Sequence, residues 1–288
     1  MSERIVYLNG DYVPEGDAKL PIFDRGLIFG DAVYEGFGIL DGQIVDFVYH
    51  MQRLERSLGE LNIPMDFSLD KMFHILMRLI AKNNAKTGFL YLHVTRGAGD
   101  RAFPYHDNYQ SNVFAFTQGE KFNADGPVPV IELATFPDLR WARRDIKSTN
   151  LLAQVMAKQA ASKAGAFEAL LIDPEGMVTE AGSSSFFFVK DDTLYVRPVS
   201  NEILHGITRQ TMLRVAEERQ IRLIERTYSL DEVMAADEAL ITASSIYVLP
   251  VGKIDGRLVG NGAAGAFTLA LRAGYLAKAR AEFYQPGP

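Results

Sequence analysis

Lys147 lies in the segment best suited to covalent chemistry, Arg140-Trp141-Ala142-Arg143-Arg144-Asp145-Ile146-Lys147-Ser148-Thr149-Asn150-Leu151-Leu152, between a strand-like run and a helix. A lysine taken alone is ordinarily a solvated surface charge. Beside Arg143 and Arg144 its pKa would fall, and a lysine with a lowered pKa can act as a Schiff-base nucleophile. Further on, Val178-Thr179-Glu180-Ala181-Gly182-Ser183-Ser184-Ser185-Phe186 sets one carboxylate before a hydroxyl-rich turn. That could be an ordinary loop, or a set of donors and one acceptor around a flat anionic ligand. Leu204-His205-Gly206-Ile207-Thr208-Arg209 turns from loop to helix, where the free N–H groups of a first helical turn suit a phosphate. Thr242-Ala243-Ser244-Ser245 offers another hydroxyl-bearing turn after a strand. Spacing alone leaves both readings of each segment open.

Other chemistries find little support. The chain has no cysteine, which excludes disulfides, thiolate nucleophiles and cysteine-based zinc sites. His50, His74, His93, His106 and His205 lack metal-ligand spacing, so no metal is expected. Gly260-Asn261-Gly262-Ala263-Ala264-Gly265 matches the dinucleotide pattern G-x-G-x-x-G, but no second strand with an acidic end follows about 20 residues on. It reads as a glycine-rich turn into a last helix. A net charge of −6 argues against a general grip on nucleic acid or anionic lipid. No stretch approaches the ~20 apolar residues of a membrane span, and the N-terminus lacks an apolar signal core, so a cytoplasmic protein is the expectation.

The elements that would position these residues are partly visible. Asn9-Gly10, Asp41-Gly42, Asp191-Asp192 and Asp255-Gly256 mark hairpins. Apolar spacing predicts helices over 50–61 and 69–82, the second capped by Ser68, and further helices over 151–164, 208–219 and 263–283. A short helix begins at Ser229, with Glu232 completing a capping box. Strands are expected at 89–95, 113–117, 131–136, 169–173, 185–189, 194–196, 221–225 and 239–242. The turn formers of 119–129 mark a domain boundary, with 288 residues enough for two modest cores.

Taken in order, these segments resemble the fold-type IV pyridoxal-5′-phosphate (PLP) enzymes, and within them the D-amino-acid transaminases most closely. The resemblance covers nearly the whole chain. It is carried by Phe23-Asp24-Arg25-Gly26, Phe29-Gly30-Asp31-Ala32-Val33-Tyr34-Glu35, Arg53, Thr95-Arg96-Gly97 with Arg101, Asp145-Ile146-Lys147-Ser148 with Asn150-Leu151-Leu152, Thr179-Glu180 with the serines, and Gly206-Ile207-Thr208-Arg209. It implies an α+β fold, with a small N-terminal α/β domain over 1–120, a linker at 121–129 and a larger, mixed, β-barrel-like domain with helices over 130–288. The implied activity is a two-half transamination of a small D-amino acid with a 2-oxo acid, by a cytoplasmic homodimer with the cofactor between its domains.

The resemblance also assigns roles. Lys147 would bond to the cofactor and shuttle the proton, and Glu180 would pair with the pyridine nitrogen. Arg53, Ile207, Thr208 and Ser244 would hold the phosphate. Leu204 would pack on the ring, with Ser183 and Ser184 beside it. Tyr34, Arg101 and Ser245 would face substrate, Tyr34 and Arg101 at its carboxylate. The chain departs from the D-amino-acid pattern at Phe103, where a histidine is usual; His106 would reach that space if the loop 102–107 folds back. Tyr34-Glu35-Gly36 is shared with the branched-chain L-amino-acid transaminases, the nearest rival. An aminodeoxychorismate lyase, an amine transaminase and a non-catalytic binding protein are the remaining alternatives.

Overall fold

In the computed structural model, residues 3–65, 68–106, 108–119 and 123–287 are described. They group into two units, one from Met1–Lys121, Ile146–Asn150 and Glu282–Pro288, the other from Phe122–Asp145 and Leu151–Ala281. Of the linker expected at 121–129, residues 121 and 122 lie outside the described residues. Two short pieces that follow the expected boundary, 146–150 and 282–288, pack with the first unit.

The first unit opens with β1 (Ile5–Leu8) and β2 (Asp11–Pro14), a hairpin whose turn places Asn9 at φ 48° and Gly10 at φ 110°. A five-residue helix follows, α1 (Arg25–Phe29), capped by the Asp24 carboxylate on the Leu27 N–H. β3 (Ala32–Leu40) turns at Asp41-Gly42 into β4 (Gln43–Ile44), which gives way to α2 (Phe47–Leu61) earlier than its apolar spacing suggested. Next come α3 (Leu69–Lys82), where Ser68 accepts from the Lys71 N–H, then β5 (Gly88–Thr95) and β6 (Val113–Gln118). The six strands form one antiparallel sheet in the order β2-β1-β6-β5-β3-β4. Strand residues alternate in direction, so Val33, Phe37, Leu90, Leu92 and Val94 meet Leu54, Leu58, Met72 and Leu76 of α2 and α3 in one core. Tyr34, Tyr91, His93 and Phe116 are only half-buried, as their pleat directs them to the opposite face.

The second unit contains β7 (Ile131–Pro137), α4 (Leu152–Lys163), β8 (Glu168–Ile172), β9 (Val178–Ala181), β10 (Ser185–Lys190), β11 (Thr193–Val196) and α5 (Ile207–Glu218). It continues with β12 (Arg222–Glu225), α6 (Leu230–Met234), β13 (Glu238–Ala243), β14 (Tyr247–Ile254), β15 (Arg257–Leu258) and α7 (Ala266–Ala281). Its strands run β12-β11-β10-β13-β14-β7-β8-β9, with β15 paired to β14. Hairpins at Asp191-Asp192 and Asp255-Gly256 supply antiparallel pairs, whereas β7–β8, β14–β7 and β11–β12 are parallel. The sheet curls: at one edge the Val178 N–H bonds to Tyr228 O, three residues beyond the other edge strand. Leu170, Val178, Phe186, Phe188, Tyr228, Ile241 and Leu249 fill the curl. No described helix is long and apolar enough to cross a membrane.

The glycine-rich stretch before α7 is a turn, closed against a nucleotide by the chain itself. Glu238 on β13 accepts from Phe267 N (3.0 Å), Thr268 N (2.8 Å) and Thr268 Oγ1 (2.7 Å), so its carboxylate fills the helix start that a pyrophosphate would need. A Cβ on Gly265 would fall 1.8 Å from that carboxyl carbon. Gly265→Ala therefore uncaps α7, and equilibrium urea unfolding is expected to show a loss of roughly 1–3 kcal/mol with an unchanged slope. A variant as stable as the parent would mean that this carboxylate does not anchor the helix.

Candidate active site

In the first unit, the backbone around Lys147 runs as a short extra strand beside β3. Ser148 bridges Val33 antiparallel, Tyr34 N donates to Lys147 O at 3.0 Å, and Thr149 N donates to Ala32 O at 3.1 Å. Ile146 is buried in the helix-covered core, so Lys147 points the other way, as pleating requires. Its Nζ sits 4.2 Å from the centroid of the Tyr34 ring, and Tyr34 in turn stacks on Tyr91. The amine is thus held over an aromatic face.

Tyr34 and its neighbour Glu35 leave β3 on opposite sides. Glu35 is fully buried, and its carboxylate accepts from Arg53 Nε (2.8 Å) and Nη2 (2.7 Å) and from His50 Nδ1 (2.6 Å). His50 and Arg53 lie three residues apart on one face of α2, which lets both reach the same carboxylate. Burial would raise the Glu35 pKa, but the Arg53 and His50 interactions prevail and hold it at about 2. Burial also depresses the His50 pKa despite Glu35, so the ring is best read as neutral and donating from Nδ1. Arg53 is therefore fixed in position by a carboxylate that balances its charge. Arg101 is exposed on the loop after β5.

The second unit gathers the other candidates. Glu180, buried on β9, accepts from Arg140 Nη1 and from the Leu204 N–H at 3.0 Å. Arg140 also grips Asp138 (Nε 2.9 Å, Nη2 2.7 Å), to which Thr179 Oγ1 donates at 2.7 Å. Burial raises the Glu180 pKa, although Arg140 and the Leu204 N–H draw it back. A carboxyl of raised proton affinity is suited to share a proton with a basic nitrogen. Gly206 caps α5 with no side-chain bond, leaving the N–H groups of Ile207 and Thr208 in the open first turn. Gly206 approaches so closely that a Cβ there would lie 2.6 Å from Ser185 Oγ, and Ser185 pairs with Thr242. Ser184 Oγ and Thr242 Oγ1 are buried without a hydrogen-bond partner among the described residues. Orphaned buried hydroxyls are costly and point to a polar ligand that satisfies them. The turn that carries Ser244 and Ser245 follows directly, with both residues half-buried.

Ser183 takes a different course from Ser184. Its Oγ donates to Glu168 Oε2 (2.8 Å) and accepts from Lys158 Nζ (2.8 Å), which engages it in an ion-pair cluster. The arginines flanking Lys147 in sequence are also engaged. Arg143 forms a two-point pair with Asp145 (3.0 Å each), and Arg144 lies 3.6 Å from Asp138. Both arginines are thus turned toward carboxylates. Arg140, Asp138 and His50 carry no role legible in the sequence, although all three hold candidate site residues in place. The available signal was a pair of acids, Glu35 and Glu180, each needing a cation once buried.

Residues 32–254 match the family model for amino-transferase class IV. The chain is 36% identical over 276 residues to a D-alanine aminotransferase of Staphylococcus epidermidis, covering 94% of this chain and 96% of the relative. It is 39% identical over 267 residues to a D-alanine aminotransferase of Bacillus licheniformis, covering 91% and 93%. Among solved structures it superposes on a T.th. branched-chain amino acid aminotransferase with pyridoxamine 5′-phosphate (TM-score 0.85, 26% identity, 96% of this chain and 94% of that one). The fold is that of the fold-type IV aminotransferases. A full-length match in sequence and fold leaves one assignment: the chain belongs to the class IV aminotransferases.

Proposed function

We propose that this chain is a PLP-dependent D-amino-acid transaminase, moving the amino group of a small D-amino acid such as D-alanine to a 2-oxo acid such as 2-oxoglutarate. The observation that carries this reading is end-to-end likeness to D-alanine aminotransferases at 36–39% identity. The branched-chain enzymes stand further off, at 26% in the structure with pyridoxamine 5′-phosphate. The donor set fits the cofactor: a buried carboxyl of raised pKa for a ring nitrogen, an open helix start for a phosphate, and two orphaned hydroxyls.

When bound, PLP supplies an aldehyde that takes the amino group and a protonated ring that accepts the electron pair released at Cα. Lys147 would hold the cofactor through Nζ and, once released by substrate, would serve as the base that moves the substrate's Cα proton. Glu180, fixed by Arg140, keeps the ring nitrogen protonated. The N–H groups of Ile207 and Thr208, with Arg53 and Ser244, bind the phosphate, and Glu35 holds Arg53 for that purpose. Leu204 would pack against the ring, and Ser184 and Ser183, the latter held in its cluster with Lys158 and Glu168, would lie beside the cofactor. Tyr34, Arg101 and Ser245 bind and orient the substrate. Two such half-reactions in sequence give ping-pong kinetics. The enzyme works as a cytoplasmic homodimer in this reading. Exposed Ile22, Phe23, Leu27 and Phe103, an apolar set on the first unit, support a second copy.

A panel of D- and L-amino acids, read by the absorbance change as bound PLP becomes aminated, tests the function. D-Alanine is expected to convert the cofactor and L-leucine is not; the reverse order would replace the proposal with the branched-chain reading. Lys147→Ala is expected to fold and to lose turnover by on the order of a thousandfold or more, and a substantial residual rate would remove the lysine from the mechanism. Glu180→Gln should still bind cofactor but slow Cα proton loss by roughly tenfold or more, seen as a smaller isotope-sensitive rate in single turnovers. An unchanged rate there would leave Glu180 without a role.

A further inference from the structure

Arg101 ends in a guanidinium that meets two phenyl rings, its Cζ 5.4 Å from the centroid of Phe29 and 5.6 Å from that of Phe103. Among the described residues no carboxylate pairs with it. A long side chain on an exposed loop would by itself sample many rotamers. Its loop, however, is tied down on both sides of Arg101. Before it, Arg25 N donates to Gly97 O at 2.8 Å and Gly99 N to Phe23 O at 3.2 Å. Gly97 has φ +107°, and a Cβ there would fall 2.0 Å from Gln110 O, so the entry to the loop admits no other residue without movement. After it, the buried Arg25 guanidinium donates to two successive carbonyls, Nη1 to Ala102 O at 2.6 Å and Nη2 to Phe103 O at 3.1 Å.

Arg25 is itself aimed. Its Nε donates to Asp31 Oδ2 at 2.9 Å, and the same carboxylate accepts from Arg96 Nε at 2.7 Å. One side of the planar fork is thus fixed to an acid, and the other is left for the loop. A lysine has neither the planarity nor the spread of donors to make all three contacts. Phe29, one turn along α1, stacks under Arg25 (4.8 Å) and also under Arg101, and its ring lies 5.4 Å from that of Phe103.

We propose that α1 positions Arg101, with Arg25 setting the main chain after it and Phe29 holding its guanidinium. Arg25 is a positioning residue and does not touch substrate. The inference rests on the reading in which Arg101 takes the substrate carboxylate. It makes carboxylate affinity depend on a helix outside the chemistry, and it gives Phe103, which stands where a histidine is usual, the work of one wall of the guanidinium's slot.

The test is Arg25→Lys in the holoenzyme, with and without Arg101→Met. Arg25→Lys is expected to raise KM for D-alanine about tenfold, with kcat changed less than about threefold, and to add nothing to KM in the Arg101→Met background. A general structural role would lower kcat as well and would act equally in both backgrounds, which would overturn the proposal. Hydrogen exchange of the amides in 98–106, expected to quicken in Arg25→Lys while α2 and α3 are unchanged, is readable whether or not the enzyme transaminates. Unchanged exchange overturns the clamp; quickened exchange in a protein that fails to transaminate D-alanine overturns the functional reading instead. If Arg25→Lys does not fold, Phe29→Leu, which leaves the backbone bonds in place, takes over: a several-fold higher KM supports the proposal and an unchanged KM overturns it.

Discussion

The position of Lys147, the amine proposed to react, is set by backbone hydrogen bonds. The main chain at 147–149 pairs with Ala32 to Tyr34 of β3 as a strand would, and strand geometry then decides where each side chain goes. Ile146 enters the core, while Lys147 takes the face that bears Tyr34. The same alternation along β3 separates Tyr34 from Glu35, sending the second inward to Arg53 and His50. A slip of one residue in this pairing would bury the lysine and expose the isoleucine, so the register is protected by the whole apolar core behind it.

A second constraint follows from burying acids. Glu35, Asp138, Asp145 and Glu180 are all withdrawn from water, and each is met by an arginine: Arg53, Arg140, Arg143 and Arg140 again. Removing one partner of such a pair leaves a charge stranded in a poor solvent, which typically costs about 3–5 kcal/mol. These pairs therefore hold the candidate residues rigidly. Their electrostatic outcomes differ, however. Glu35 faces both an arginine and a histidine and stays ionised down to about 2, whereas burial prevails at Glu180 and raises its proton affinity. One acid serves as a fixed counter-ion and the other is suited to sharing a proton.

What the sequence made legible was local. Positive-φ pairs such as Asn9-Gly10 and Asp255-Gly256 announced their hairpins, and Ser68 and Ser229 announced their helices, because each signal acts over four residues or fewer. Lys147, Glu180 and the start of α5 stand out locally as candidates, but spacing leaves both readings of each open and only the family resemblance assigns them roles. α1 was missed because five residues carry no apolar period. β14 was missed because Pro250 and Gly252 argue against a strand. It is nonetheless central, and its pairing with β7 begins only at Val251, just past the proline that lacks an N–H. The roles of Arg140 and His50 were hidden for a different reason: their partners lie 40 and 15 residues away, and only the completed fold brings them together.

The proposed chemistry depends on the bond between one lysine and an aldehyde cofactor. Borohydride reduction of the PLP-loaded protein makes that carbon–nitrogen bond permanent, and peptide mapping by mass spectrometry then locates it. The expected result is a single phosphopyridoxyl adduct on the peptide that contains Lys147. An adduct on another lysine, or none in protein that has bound the cofactor, would contradict it.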